Sequence, residues 1–172
     1  MRWVTGEDVA TTEQAAAEFI AAELGRSIRE RGRATLAVSG GRTPWGMFGR
    51  LAALELEWTR IHLFQADERI APANDAARNW TQFSATTLLA RIPVAQRHPM
   101  PVEIADARVA ADRYAASLAA ACGEPAVLDV VHLGLGDDGH TASLFAGDAL
   151  LGENARDVGV SGPHAGLCRL SL

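Results

Sequence analysis

The run Leu128-Asp129-Val130-Val131-His132-Leu133-Gly134-Leu135-Gly136-Asp137-Asp138-Gly139-His140-Thr141-Ala142-Ser143-Leu144-Phe145 decides how the whole sequence is read. An apolar, β-branched segment stops at glycines interleaved with aspartates, a histidine and a threonine, and an apolar pattern resumes at Ala142. That order predicts a strand, a tight loop and a short helix. In open α/β sheets ligands sit outside the carboxyl ends of the strands, so a loop of this composition at a strand end is where a site belongs. Glycines such as Gly136 and Gly139 let a ligand approach the backbone closely, and histidine is the side chain that titrates nearest neutrality, which marks His140.

Working outward, the same arrangement recurs upstream. Ala34-Thr35-Leu36-Ala37-Val38 has the apolar content of a buried parallel strand. It leads into Ser39-Gly40-Gly41-Arg42-Thr43, then Pro44 and a helical segment from Trp45 to about Leu54. Pro44 suits a first helical position. The unpaired N–H groups of the helix start, the hydroxyls of Ser39 and Thr43 and the guanidinium of Arg42 would then form an anion site. A plain glycine turn is the competing reading, and the loop matches neither the P-loop nor the dinucleotide fingerprint. A further strand, Ile61-His62-Leu63-Phe64-Gln65, ends at Asp67-Glu68-Arg69, which opens a long irregular stretch reaching Asn79. Loops of that length inside compact domains are usually functional or mobile. The charged triplet by itself also fits a solvated turn.

The intervening segments supply packing. Thr11 as N-cap with Gln14 three residues on predicts a capping box. The helix that follows presents Ala16, Ile20, Leu24 and Ile28 on one face and stops at Gly32. A helix is expected around Trp80 to Leu89, a rigid connector at His98-Pro99-Met100-Pro101, and an Asp106-capped helix with Val109, Ala111, Tyr114, Leu118 and Cys122 turned inward. Strands alternating with helices predict one α/β domain over residues 1–172, three-layered and Rossmann-like, with a mostly parallel sheet flanked by helices. Right-handed crossovers would bring the loops at Ser39, Asp67 and Gly134 to one edge of that sheet.

With 172 residues and 48% hydrophobic content, the chain has material for a real core. A net charge of -5 with scattered Lys and Arg leaves no basic stripe for nucleic acid. There is no signal-peptide pattern and no apolar run approaching the roughly 18 residues of a membrane span. Cys122 and Cys168 form neither a disulfide framework nor a metal spacing, so a cytoplasmic, reducing setting is expected. His62 and His132 read as strand residues, His98 and His164 as solvated neighbours of prolines. No His-Cys-carboxylate spacing supports zinc, so no metal is expected.

Three segments together carry a resemblance: Ser39-Gly40-Gly41-Arg42-Thr43-Pro44; Asp67-Glu68-Arg69 with Pro72 and Asn79; and Leu133 through Phe145. In that order the chain resembles the 6-phosphogluconolactonases. The related glucosamine-6-phosphate deaminases share the fold and the aspartate-glycine-histidine core, but Arg69 and the run Ser143-Leu144-Phe145 favour the lactonase. The resemblance implies cofactor-free hydrolysis of 6-phospho-D-glucono-1,5-lactone to 6-phosphogluconate in the oxidative pentose phosphate pathway. It implies His140 as general base, Arg69 at the developing oxyanion, and Asp67 or Asp138 orienting the imidazole or the sugar hydroxyls. Ser39, Gly40, Gly41, Arg42 and Thr43 are assigned to the phosphate, with Gly136, Gly139 and Asn79 completing the substrate site.

Members of that family extend further than this chain, so the domain is expected to be C-terminally incomplete. Leu167 to Leu172 then reads as a sheet strand with an open apolar edge, predicting self-association there. A working lactonase and a non-catalytic sugar-phosphate-binding or assembly domain are both compatible with these observations, an amino-sugar-phosphate deaminase less so.

Overall fold

The computed structural model describes residues 3–41 and 43–172. Central strands buried along nearly their whole length, with helices over both faces, build a three-layer α/β fold. β1 (Ala34–Val38) lies at the centre of a parallel sheet, with β2 (Ile61–Gln65) and then β4 (Arg97–His98) on one side and β5 (Val130–His132) on the other. Ala34, Leu36, Val38, Ile61 and Leu63 point to one face, sharing a core with α1 (Val9–Arg31), α2 (Trp45–Ala53) and α4 (Thr87–Arg91). Ala37 and Phe64, one residue out of phase, point to the other face and pack on α5 (Ala107–Cys122).

A second, antiparallel sheet orders β3 (Asp67–Arg69), β7 (Leu167–Ser171) and β6 (Gly159–His164). Ala66 is the seam between the sheets. Its N–H donates to Val38 O at 2.8 Å and its carbonyl accepts from Leu172 N at 2.9 Å, so the chain passes from β2 into β3 without a loop. Tyr114 of α5 locks this seam. Its phenol accepts from Gln65 N at 2.7 Å and donates to Gln65 O at 2.9 Å, and burial pushes its pKa well up.

Several expectations are corrected. The N-cap of α1 is Asp8, whose carboxylate accepts from Thr11 N at 2.8 Å while the Thr11 hydroxyl accepts from Asp8 N at 3.1 Å. The reciprocal box is thus one turn earlier than a Thr11 cap would place it, because an aspartate three residues before a threonine satisfies the same donors. Pro44 is the N-cap of α2 rather than its first residue. The charged triplet is strand β3, held by pairing with β7, and Glu68 is fully buried. The expected helix over 80–89 divides into α3 (Asn79–Phe83) and α4, the latter capped afresh by Thr86 Oγ1.

In α5 the inward residues are Ala110, Ala111, Tyr114, Leu118 and Ala121; Val109 faces solvent and Cys122 is half-buried. Residues 141–148, expected to begin a helix, form none; Thr141 and Leu144 make an isolated bridge, and the next helical turn is the 3-10 segment Ala149–Gly152. His98 stacks on Phe64 in β4, at 4.2 Å between centroids and 6° between planes, rather than standing in solvent. β7 is the central strand of its sheet, paired with β3 and β6 along its two sides, so the open edge expected at Leu167 to Leu172 does not exist. Exposed apolar side chains lie instead along β5 and just after it, at Val131, Leu133 and Leu135. Among the described residues no helix is long and apolar enough to cross a membrane.

Candidate functional site

The carboxyl ends of β1, β2 and β5 open into a cleft of about 730 Å³. Sheet pairing explains the convergence. Ser39 N donates to His132 O at 3.1 Å, tying the end of β1 to the end of β5, while Ala66 ties the end of β2 to β1. The cleft is lined by Ser39, Gly40, Gly41, Thr43, Asp67, Arg69, Asn79, Gly136 and His140, all anticipated above. Asp138 and Gly139, also anticipated, are exposed and do not line the cleft; they lie in the loop that carries His140. Arg42, expected at the phosphate loop, lies outside the described residues.

His140 is placed by its own loop. Its Nδ1 is hydrogen-bonded to Asp138 Oδ1, and its backbone N–H donates to the same oxygen at 3.2 Å. The imidazole contact first, and this backbone donor second, hold the Asp138 carboxyl below its ordinary range. An ionised carboxylate only accepts, so the Asp138 contact favours the tautomer with its proton on Nδ1, in which Nε2 is the ring's free acceptor. Gly136 makes room for the ring, since a Cβ there would overlap its Nδ1 edge. Ala142, which also lines the cleft, sits at φ 48°, an uncommon backbone for a residue with a side chain and costly unless its surroundings hold it.

Asp67 does something else. Buried at 4% exposure, it accepts from Ser143 Oγ at 2.8 Å and so fastens β3 to the segment after His140. Of the two acids proposed to orient the imidazole, only Asp138 touches it. Asp129 is remote from the cleft, pairing with Arg31 and accepting from Thr35 N at 2.8 Å.

Arg69 is held from below. Its Nη1 donates to Ala77 O at 3.0 Å and to Asn79 Oδ1, while Asn79 Nδ2 donates to Asp67 O at 3.0 Å. Beneath them the buried Glu68 carboxylate accepts from Arg69 N (2.8 Å), Asn79 N (2.7 Å), Trp80 N (2.8 Å) and Gln65 Nε2 (2.9 Å). A buried charge persists only when its lone pairs are satisfied, and here the start of α3 and the end of β2 supply the donors. Gly40 lies so close that a Cβ would overlap the Asn79 amide, coupling the glycine loop after β1 to this network.

Two features of the cleft escaped the sequence reading. Arg169 of β7 stands in register with Arg69 of β3, and each lines the cleft with a buried Nε that has no protein acceptor. Burial, then the charge of Arg69, lowers the pKa of Arg169, with Asp67 opposing. Two adjacent guanidiniums with spare donors favour an anion. One hundred residues separate them, so only strand pairing reveals the doublet. The second feature is a wall formed by the segment from Gly6 to Glu13 at the start of α1, where Glu13 is salt-bridged to Arg50 at 3.3 Å. Among the described residues no three His, Cys, Asp or Glu side chains cluster as metal ligands.

The chain is similar in sequence and in fold to known proteins. Residues 7–172 match a family described as glucosamine-6-phosphate isomerases/6-phosphogluconolactonase. A 6-phosphogluconolactonase of Synechocystis sp. is 39% identical over 131 residues, covering 73% of this chain and 55% of that protein. One of Rhizobium meliloti is 38% identical over 148 residues, covering 86% and 62%. The crystal structure of a 6-phosphogluconolactonase from Shewanella baltica superposes with a TM-score of 0.85 at 29% identity, over 97% of this chain and 72% of that one. This chain therefore spans little more than half the length of the two relatives aligned by sequence. With a family match over nearly all its residues and the same fold, the chain belongs to the glucosamine-6-phosphate isomerase/6-phosphogluconolactonase family.

Proposed function

We propose that the cleft hydrolyses a phosphorylated sugar lactone, 6-phospho-D-glucono-1,5-lactone, to 6-phosphogluconate in the cytoplasmic oxidative pentose phosphate pathway. The observation that carries this reading is a histidine held by Asp138 that shares one cleft with two arginines whose buried Nε atoms have no protein acceptor. His140 Nε2 takes a proton from water as the water oxygen attacks the lactone carbonyl carbon. Arg69 meets the charge that develops on the carbonyl oxygen. When the tetrahedral intermediate collapses, the bond to the ring oxygen breaks and the proton held by His140 passes to that oxygen, giving the open-chain hydroxy acid. Asp138 keeps the imidazole in orientation, and Asp67 supports the loop through Ser143 rather than by touching the base. Ser39, Gly40, Gly41, Arg42 and Thr43, with the start of α2, bind the phosphate. Arg169 adds a second positive charge to the anion site, and Gly136, Gly139 and Asn79 shape the remaining surface.

The test is an assay of the purified 172-residue protein with freshly generated lactone, corrected for spontaneous hydrolysis, coupled to consumption of 6-phosphogluconate. Turnover above the uncatalysed rate is expected. No turnover, with thermal protection by 6-phosphogluconate retained, would replace the hydrolase with a sugar-phosphate-binding domain. Protection that persists unchanged in Arg42→Ala/Thr43→Ala would move the phosphate away from the glycine loop.

A further inference from the structure

We propose that Phe145 is a positioning residue of this site, a buried aromatic slab that holds the His140 imidazole and the Arg169 guanidinium in fixed relation. The proposal rests on the reading of His140 as base. Phe145 is 6% exposed, yet three polar side chains from three segments converge on its ring. The His140 ring centre is 4.5 Å away with the planes inclined at 36°, and the Arg169 guanidinium carbon lies 4.9 Å from the ring centre. His164, at the tip of the β6–β7 hairpin and otherwise exposed, stacks on the same ring at 3.7 Å and 12°.

Each contact has a physical use. The hydrogen bond to Asp138 fixes one ring atom of His140 but leaves the imidazole free to swing about that atom. Gly136 closes against one edge, and Phe145 supplies the flat surface that limits the swing. Arg169, crowded by Arg69 and short of a protein acceptor at Nε, gains from the negative π face of an aromatic ring. An aliphatic side chain of similar size would fill the volume and lose both effects. His164 backs the slab from the hairpin, so the antiparallel sheet reaches the base through one aromatic stack.

The experiment compares Phe145→Leu and Phe145→Tyr in the purified chain, reading His140 ring-proton chemical shifts by NMR together with kcat and KM for the lactone. In Phe145→Leu the ring-current displacement of the His140 protons should vanish, and kcat should fall by about tenfold to a hundredfold with a smaller rise in KM, as for a misplaced catalytic group. Phe145→Tyr, which keeps the aromatic face, should retain both. Unchanged His140 shifts, or an unchanged kcat, in a folded Phe145→Leu would overturn the proposal. Should Phe145→Leu fail to fold, the exposed His164→Ala decides. It should move the His140 protons in the same direction to a smaller extent, with His164→Phe restoring them, and an unmoved spectrum would overturn the stack. A wild-type protein with no turnover sinks the lactonase reading alone, because the NMR comparison still tests the stack.

Discussion

The two halves of the cleft are built in opposite ways. On the arginine side, Glu68 is fully buried and its carboxylate accepts four hydrogen bonds from the end of β2, from β3 and from the start of α3, with Arg78 Nε at 3.8 Å. On the histidine side, most of residues 133–139 is exposed, and His140 is tied by a surface carboxylate and an aromatic contact. Under the proposed mechanism the difference follows from what each half would do. A group that stabilises developing charge is most effective when it is preorganised and needs no reorientation. A base that exchanges protons with water has to stay in contact with solvent. Buried polar networks are also cooperative and fragile, whereas an exposed loop tolerates loss of a side chain.

This contrast can be broken by measurement. Glu68→Ala should have the largest effect, about 3–5 kcal/mol of unfolding free energy by denaturant titration, because it leaves the buried backbone donors of Asn79, Trp80 and Arg69 and the Gln65 amide without their acceptor and removes the carboxylate facing the buried Arg78. A loss below about 1 kcal/mol would mean that water replaces the carboxylate and that the arginine side is not locked. His140→Ala should do the reverse, lowering turnover by about a hundredfold or more. Its unfolding midpoint should shift little, since exposed-loop substitutions usually stay within about 0.5 kcal/mol. Near-wild-type turnover would remove His140 from the role of base.

Gly40→Ala sharpens the link between the glycine loop after β1 and the network. The new methyl would overlap the Asn79 amide, so about 1–3 kcal/mol of stability should go, together with weaker protection by 6-phosphogluconate. Wild-type stability and protection would show that loop and network move independently.

The smallest expected effect lies away from the cleft. His62 Nδ1 and His98 Nε2 are 3.0 Å apart, and burial, followed by the His62 charge, holds His98 down to about 4. Burial lowers His62 as well. A histidine whose folded pKa is depressed binds its proton more readily when unfolded. The contribution is therefore intact above the unfolded value of about 6.5 and is lost as pH falls from there towards 4. His98→Phe keeps a ring on Phe64 and removes the titration, so it should flatten that part of the acid limb in a stability-against-pH series. An identical limb would assign the acid sensitivity to other groups.

Much of this was legible in the sequence. The apolar runs Ala34 to Val38 and Ile61 to Gln65, the glycine loops that follow β1 and β5, and the caps at Asp106 and Gly32 are local signals, because strand period, glycine freedom and helix-end hydrogen bonding act over a few residues. The same locality explains the misreadings. Asp67-Glu68-Arg69 reads as a loop because charge argues against a buried strand, and only pairing with β7 and the donors around Glu68 reverse that. His98 reads as solvated until Phe64 is seen beside it.

By itself, then, the sequence determined the α/β layering and the strand ends whose loops, with His140 and Arg69 on them, meet in one cleft, since each is encoded in contiguous residues. Only the tertiary structure decided that Asp138 rather than Asp67 touches the imidazole, that Arg169 joins Arg69 and that the terminal strand is central in its sheet. These depend on contacts between segments distant along the chain, where register rather than composition chooses the partner.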